Sequence, residues 1–306
     1  MTAIYVPTLL MTEMKRLLYT ALTVMAILAA LPAKAATDTY FPYPIVPDSI
    51  VTLQGRADFL VTHFWDFCDM KKGFSSRAKM AEAFSDYLSF MPHASAKTVH
   101  KSIAKLLKDL EKQPADQLFF AQKAEELIHS DTSEVFSDEL FLPFARAVVE
   151  NKRIPAKDKT HFIDQTKILT ATMLGSRMPD IAYTDRNGNK AVFSPDSTQV
   201  TILFFNEPDN HECLLAKARL NADSKSSSFI ADGIMKIVAI TKTEPGEDWI
   251  SFAKTMPETW TVGAVPDIDK IYDIRIIPGF YVIDQGGNIL LKNANINQII
   301  SIISNL

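Results

Sequence analysis

The chain has 306 residues, of which 47% are hydrophobic and 22% charged, with a formal net charge of -4 and a pI near 5.9. This length allows two domains, each with its own core. The slightly acidic balance argues against a nucleic-acid-binding protein, whose contact surface would be basic.

The N-terminal residues have the pattern of a secretory signal peptide. Lys15 and Arg16 precede the apolar residues 17–31, and residues 33–35 read Ala-Lys-Ala, a small-x-small cleavage site. We expect residues 1–35 to be removed, translation to start at Met1 or Met14, and the mature chain to begin near Ala36 in an oxidising compartment such as the periplasm. The alternative is a retained N-terminal anchor. No later stretch approaches the eighteen or so apolar residues of a membrane span.

The chain has two cysteines, Cys68 and Cys213. We place them in different domains, so a structural disulfide between them would have to cross the domain interface. We expect instead that Cys68 is a buried thiol that packs as a small hydrophobe.

Residues 36–165 have the periodicity of a small helical bundle. Apolar residues recur at helical spacing in two runs, with breaks at Pro92 and Pro114. Ser137 is placed to cap a third helix, with Asp138 at the positive end of its dipole. The two runs are Val99, Ile103, Leu106, Leu107 and Leu110, then Phe120, Ala124, Leu127 and Ile128.

Residues 170–306 change to a strand-rich pattern. Turn signals at 186–189 and 285–288 indicate two hairpins, and the apolar runs 200–205 and 234–240 indicate buried central strands. Residues 223–228 look like a flexible loop, and a final amphipathic helix begins near Ile296. The order hairpin, strand, helix, strand, helix, hairpin, helix predicts an α/β sandwich with a mixed sheet.

The segment after the strand 200–205 is the most informative part of the chain. A short polar loop containing Pro208 is followed by a helical pattern that starts near Cys213. Unpaired N–H groups and the dipole at a helix N-terminus favour a thiolate there. The loop residues Pro208, Asn210, His211 and Glu212 therefore form a candidate site around Cys213.

This loop resembles a thioredoxin active site whose first cysteine is missing. Residues 179–188 also resemble the opening hairpin of the peroxiredoxin-like and cytochrome-maturation branch of exported bacterial thioredoxins, and residues 272–284 resemble its cis-proline segment. The helical half is similar to an uncharacterised domain that precedes such domains in secreted proteins. The resemblance implies a thioredoxin-like domain over residues 170–306, preceded by a helical domain over residues 36–165.

The family's site residues carry over only in part. The resemblance makes Cys213 the inner, resolving cysteine and Pro278 the cis-proline, so that Ile277 and Pro278 would line the substrate groove. Asn210 stands where the outer, attacking cysteine would be. Because dithiol exchange needs an attacking thiolate and a resolving thiol, the usual reaction lacks its first step.

Three functions remain open at this point. In the first, the domain is a non-catalytic module that binds a periplasmic protein or peptide. In the second, Cys213 acts alone in a peroxiredoxin-like peroxidase or a mixed-disulfide oxidoreductase. Against the peroxidase, Pro208 lies five residues before Cys213 and Asn210 three before, where those enzymes have a proline seven before and a Thr or Ser three before. A metal site at His211, Glu212 and Cys213 is the third possibility, but consecutive residues at a helix start point in different directions. We expect no cofactor and no metal.

Overall fold

The computed structural model describes residues 39–70, 74–130, 133, 137–195 and 200–306. The predicted signal peptide, including Lys15, Arg16 and residues 17–35, lies outside these ranges. Within them, no helix combines the length and the apolar character that a bilayer crossing requires.

Six α-helices make up the N-terminal domain in the part of the chain that the structure describes. Ser and Thr side chains cap several of them, and the predicted cap at Ser137 is present, accepting the N–H of Leu140 at 3.2 Å. The last helix runs through the predicted domain boundary at 165–170. The helices are α1 (Leu53–His63), α2 (Arg77–Phe90), α3 (Ala96–Leu110), α4 (Pro114–Ile128), α5 (Asp138–Glu150) and α6 (Ala156–Ala171).

The C-terminal domain is built on a seven-stranded mixed sheet, ordered β2-β1-β5-β4-β3-β6-β7. The central strands β3, β4 and β5 are parallel, and β6 runs antiparallel to β3. Continuous apolar runs predicted the burial of β3 and β4 on both faces. The strands are β1 (Ile181–Thr184), β2 (Lys190–Phe193), β3 (Val200–Asn206), β4 (Met235–Thr241), β5 (Thr261–Ala264), β6 (Gly279–Asp284) and β7 (Ile289–Ala294).

The two faces of the sheet carry separate apolar cores. Helices pack on one face, where Phe204 and Cys213 belong to the same cluster. On the other face, Phe205 packs against Tyr272 and Tyr281 under the segment that joins β5 to β6. This architecture confirms the predicted α/β sandwich with a mixed sheet after a helical domain. The helices of the C-terminal domain are α7 (His211–Ala222), α8 (Ser224–Ala231), α9 (Glu247–Ala253) and α10 (Ile296–Asn305).

Two elements differ from the sequence prediction. The expected loop at 223–228 is largely helix α8, because the Asp223 carboxylate accepts the N–H of Ser226 at 2.7 Å and caps the helix. Strand β5 was missed because it has four residues and contains Gly263. A Cβ on Gly263 would lie 2.6 Å from a ring carbon of Tyr183, so the glycine permits close approach between neighbouring strands.

Candidate functional site

Cys213 lies in the first turn of α7, as predicted, and its side chain is buried, with 3% of its surface exposed. The sulfur accepts the backbone N–H of Glu207 at 3.4 Å. The thiol therefore packs beneath the loop that connects β3 to α7. A buried thiol is poorly placed to attack a large disulfide substrate.

Asn210 is the N-cap of α7. Its Oδ1 accepts the N–H of Cys213 at 3.2 Å, and its amide lies 3.5 Å from the carboxylate of Glu207. Asn210 thus has a structural task, which is to satisfy a backbone donor at the start of the helix.

The environment of Cys213 holds its sulfur in the neutral thiol form. Burial raises the pKa of the Cys213 thiol, and the charges of Glu207 and Glu212 raise it further, while the N–H of Glu207 lowers it. The net direction is upward, which answers a question that the sequence left open. At a helix N-terminus the dipole alone would have favoured a thiolate.

The peptide bond between Ile277 and Pro278 is cis, as the resemblance implied. Strand β6 begins directly after it, and Gly279 pairs with Phe205 in the antiparallel ladder. Ile277, the residue before Pro278, lines the same cleft as Asn206 and Glu207. The cis-proline segment and the loop above Cys213 therefore meet at the same edge of the sheet.

A cleft of about 180 Å³ opens at this edge, mainly on the face of the sheet opposite Cys213, while Ile277 in its wall also packs against the core that contains Cys213. Its walls come from the carboxyl ends of β3 and β4 and from the segment before Pro278, and Lys242 and Asp269 pair across its rim at 2.6 Å. The lining residues are Phe205, Asn206, Glu207, Ile240, Lys242, Ile268, Asp269, Ile274 and Ile277. Asn206 is buried there and fully engaged, because it bonds to Ile240 and Thr241.

The predicted site residues do not all come together. Pro208 is half-buried in the loop, whereas His211 and Glu212 are exposed on the first turn of α7. In the described part of the chain, no three His, Cys, Asp or Glu side chains converge as metal ligands would. Ile277 lines the cleft, but Cys213 does not.

Both cysteines are free, so the alternative of a disulfide across the domains is wrong. Cys68 is half-buried rather than buried, and it packs against the edge of the helical core. Burial and the neighbouring charge of Asp69 raise the pKa of its thiol to about 11.

Sequence reasoning missed most of the cleft. Ile240 is the last residue of the predicted strand 234–240, and Lys242 follows that strand. The carboxyl ends of parallel strands are where α/β proteins place their ligands. That rule could have marked this edge. Ile268 and Ile274 lie in the irregular segment between β5 and β6, for which periodicity offers no signal.

Comparison with known proteins extends the description to both domains. Residues 28–171 match the model of a domain of unknown function, DUF5106. A thioredoxin-like protein from Bacteroides caccae aligns with a TM-score of 0.72 and 21% identity, covering 88% of this chain and 99% of that chain. This chain has a thioredoxin-like fold. A match of that length extends over both the helical region and the thioredoxin-like domain, and at this identity it establishes the fold without the activity.

Two further matches cover less of the chain. A conserved protein of unknown function from Bacteroides fragilis is 27% identical over 42% of this chain and 96% of that chain, with a TM-score of 0.39. The thioredoxin domain of a thiol-disulfide oxidoreductase from Bacteroides vulgatus is 19% identical over 42% and 97%, with a TM-score of 0.36. Neither carries an argument about activity. No curated protein sequence matches the chain.

Proposed function

We propose that the thioredoxin-like domain binds an extended segment of a partner protein or peptide and carries out no dithiol exchange. The observation that carries this proposal is the state of the two motif positions. Asn210 caps α7 in place of a thiol, and the Cys213 thiol is buried with a raised pKa.

The number and the positions of the cysteines argue against dithiol exchange. Dithiol exchange needs one thiolate to attack a disulfide and a second thiol to release the mixed disulfide. The only other cysteine in the sequence is Cys68, which lies in the helical domain and packs at the edge of that core. A raised pKa at Cys213 lowers its thiolate fraction near neutral pH.

The cleft beside the cis-proline segment supports the binding half of the proposal. Five of its nine lining residues are phenylalanine or isoleucine, so its walls suit an aliphatic or aromatic side chain, and the exposed carboxylate of Glu207 can accept a backbone N–H. Recognition of an extended chain works through backbone bonds together with pockets for side chains, and it needs no thiol. Loss of the outer cysteine therefore leaves this surface intact.

Two measurements on the full mature chain test the proposal. The protein should fail to accelerate the reduction of insulin by dithiothreitol. A library of random twelve-residue peptides without cysteine should yield binders. These peptides should bind the Cys213→Ser variant with unchanged affinity. They should bind Ile277→Lys at least tenfold more weakly, because the lysine would enter the apolar cleft.

A matched surface variant controls for general effects of an added lysine. Val192→Lys changes an exposed apolar residue on the edge strand β2 and should bind like the unmodified protein. The proposal is wrong if Cys213-dependent insulin turnover is observed. It is equally wrong if the selected peptides bind Ile277→Lys as tightly as Val192→Lys.

The second candidate function is a one-cysteine redox centre, either a peroxidase or a mixed-disulfide oxidoreductase acting through Cys213. The N–H of Glu207, donated to the sulfur at 3.4 Å, favours it because it would stabilise a thiolate once formed. Consumption of hydrogen peroxide by the unmodified protein, absent in Cys213→Ser, would select the peroxidase. Formation of a Cys213 adduct with glutathione disulfide, without peroxide consumption, would select the mixed-disulfide form.

We further propose that the protein is exported and works in the periplasm. The support is the sequence pattern of residues 15–35, with its basic pair, apolar stretch and small-residue cleavage site. Mass spectrometry of the protein recovered from its native cells should find a mature N-terminus near Ala36. A chain that retains residues 17–31 would support the anchored alternative instead.

A further inference from the structure

A buried cluster of ionisable side chains joins the two domains. The Asp138 carboxylate, at the start of α5, lies 2.5 Å from Arg275 and 3.2 Å from His129, and it also pairs with Lys292. Arg275 and Lys292 pair in turn with Asp273, at 2.7 Å and 3.0 Å. Asp138 and His129 belong to the helical domain, whereas the other three residues belong to the thioredoxin-like domain.

Charge balance makes Asp138 essential to this cluster. The four side chains of Asp138, Asp273, Arg275 and Lys292 are only 9–12% exposed, so water solvates them poorly. Two carboxylates face two cations. Removal of the Asp138 charge would leave both cations with one carboxylate, and an uncompensated buried charge is strongly destabilising.

The cluster contacts one side of the segment 273–277, which precedes the cis-proline, and the cleft lies on the other side of this segment. Asp273 and Arg275 point into the cluster, whereas Ile274 and Ile277 line the cleft. The backbone N–H of Arg275 donates to the Asn293 side chain at 3.2 Å, and the Tyr281 hydroxyl donates to the carbonyl of Asp273 at 2.7 Å. Arg275 and the cleft residues Ile274 and Ile277 therefore belong to one short segment, which these bonds attach to β6 and β7.

We propose that Asp138 makes the helical domain a structural part of the binding cleft, by holding Arg275 and with it the segment 273–277. Asp138 is a positioning residue, since it touches Arg275 and not the cleft. The link between the domains stands on the geometry of the cluster alone. Its consequence for binding rests on the function proposed above.

Hydrogen exchange of the full mature chain, followed by mass spectrometry, tests the link without any ligand. In Asp138→Asn, the amides of residues 273–277 should exchange at least tenfold faster than in the unmodified protein, while those of the central strand β4 keep their rates. Asp116→Asn is the matched control. The Asp116 side chain is 11% exposed, and its carboxylate pairs with Arg77 at 3.0 Å within the helical domain. Its exchange at residues 273–277 should not change.

A double variant covers the case in which Asp138→Asn does not fold. Asp138→Asn with Lys292→Gln removes one charge of each sign and leaves Asp273 paired with Arg275, and it should also exchange faster at residues 273–277. Unchanged exchange there in a folded variant overturns the proposal, and so does an equal increase in Asp116→Asn.

Peptide affinity then separates this inference from the proposed function. A cysteine-free peptide selected on the unmodified protein should bind Asp138→Asn at least tenfold more weakly and Asp116→Asn with unchanged affinity. If no peptide binds the unmodified protein, the proposed function fails while the exchange result still decides the link. If exchange rises but affinity does not fall, the role of Asp138 in the cleft is refuted.

Discussion

The cap formed by Asn210 yields a quantitative prediction about the stability of the thioredoxin-like domain. Replacing it with alanine removes the acceptor for the N–H of Cys213, which is 3.2 Å from Oδ1. Loss of an N-cap side chain costs about 0.5–2 kcal/mol. Because Asn210 is half-buried, water can replace part of the lost bond, and we expect about 1 kcal/mol for Asn210→Ala.

The weak contact between the Asn210 amide and Glu207 adds little to this figure. At 3.5 Å and on an exposed side of the loop, it is too long and too well solvated to contribute much. For a domain of this size, 1 kcal/mol corresponds to a fall in melting temperature of about 3–4 °C. Asn210→Ser keeps an oxygen acceptor at the cap and should stay within a few tenths of a kcal/mol of the unmodified protein.

Urea unfolding followed by tryptophan fluorescence measures this difference. The thioredoxin-like domain contains Trp249 and Trp260, both buried, and the helical domain contains Trp65. A Trp65→Phe background restricts the signal to the thioredoxin-like domain. If Asn210→Ala unfolds at the same urea concentration as Asn210→Ser, the cap makes no contribution and the structural reason for Asn210 is wrong.

Two further predictions concern ionisation. Because burial raises the pKa of the Cys213 thiol, iodoacetamide at pH 8 should modify Cys213 at least tenfold more slowly in the folded chain than in urea, and equal rates would contradict its burial. Burial raises the pKa of Asp138. The hydrogen bond with His129 and the charges of Lys292 and Arg275 outweigh that effect and hold the pKa well below its usual range. Its contribution to stability should therefore be fully present above the unfolded pKa of about 3.9 and should be lost as the pH falls towards the folded pKa. Acid titrations of the unfolding free energy should show this loss in the unmodified protein but not in Asp138→Asn, and parallel curves would contradict it.

Local sequence was sufficient to place Cys213 in the first turn of a helix. A buried strand, a polar loop and a helix that begins near Cys213 are consecutive in the chain, so the position of the thiol needed no long-range information. The family resemblance also implied that Asn210 stands where the outer cysteine would be. The sequence could not show whether burial or the helix dipole has the larger effect on the pKa of Cys213, because that depends on how far the connecting loop covers the sulfur.

The partner of Asp138 was beyond what the sequence could supply. A carboxylate in the first turn of a helix is already accounted for by the helix dipole, so nothing marks it as one half of an interdomain contact. Its partner Arg275 is 137 residues away, in an irregular segment without periodicity. Helix α8 was missed for a different reason. Its serines suggested a loop, although Asp223 in front of them was a capping signal that could have revealed it.

Insulin reduction by dithiothreitol, measured for the unmodified protein beside Asn210→Cys, tests the central claim most directly. Asn210→Cys supplies the missing outer thiol three residues before Cys213 and should accelerate the reaction, whereas the unmodified protein should match the buffer alone. Acceleration by the unmodified protein that disappears in Cys213→Ser would contradict the claim that this thioredoxin-like domain binds its partner without exchanging disulfides.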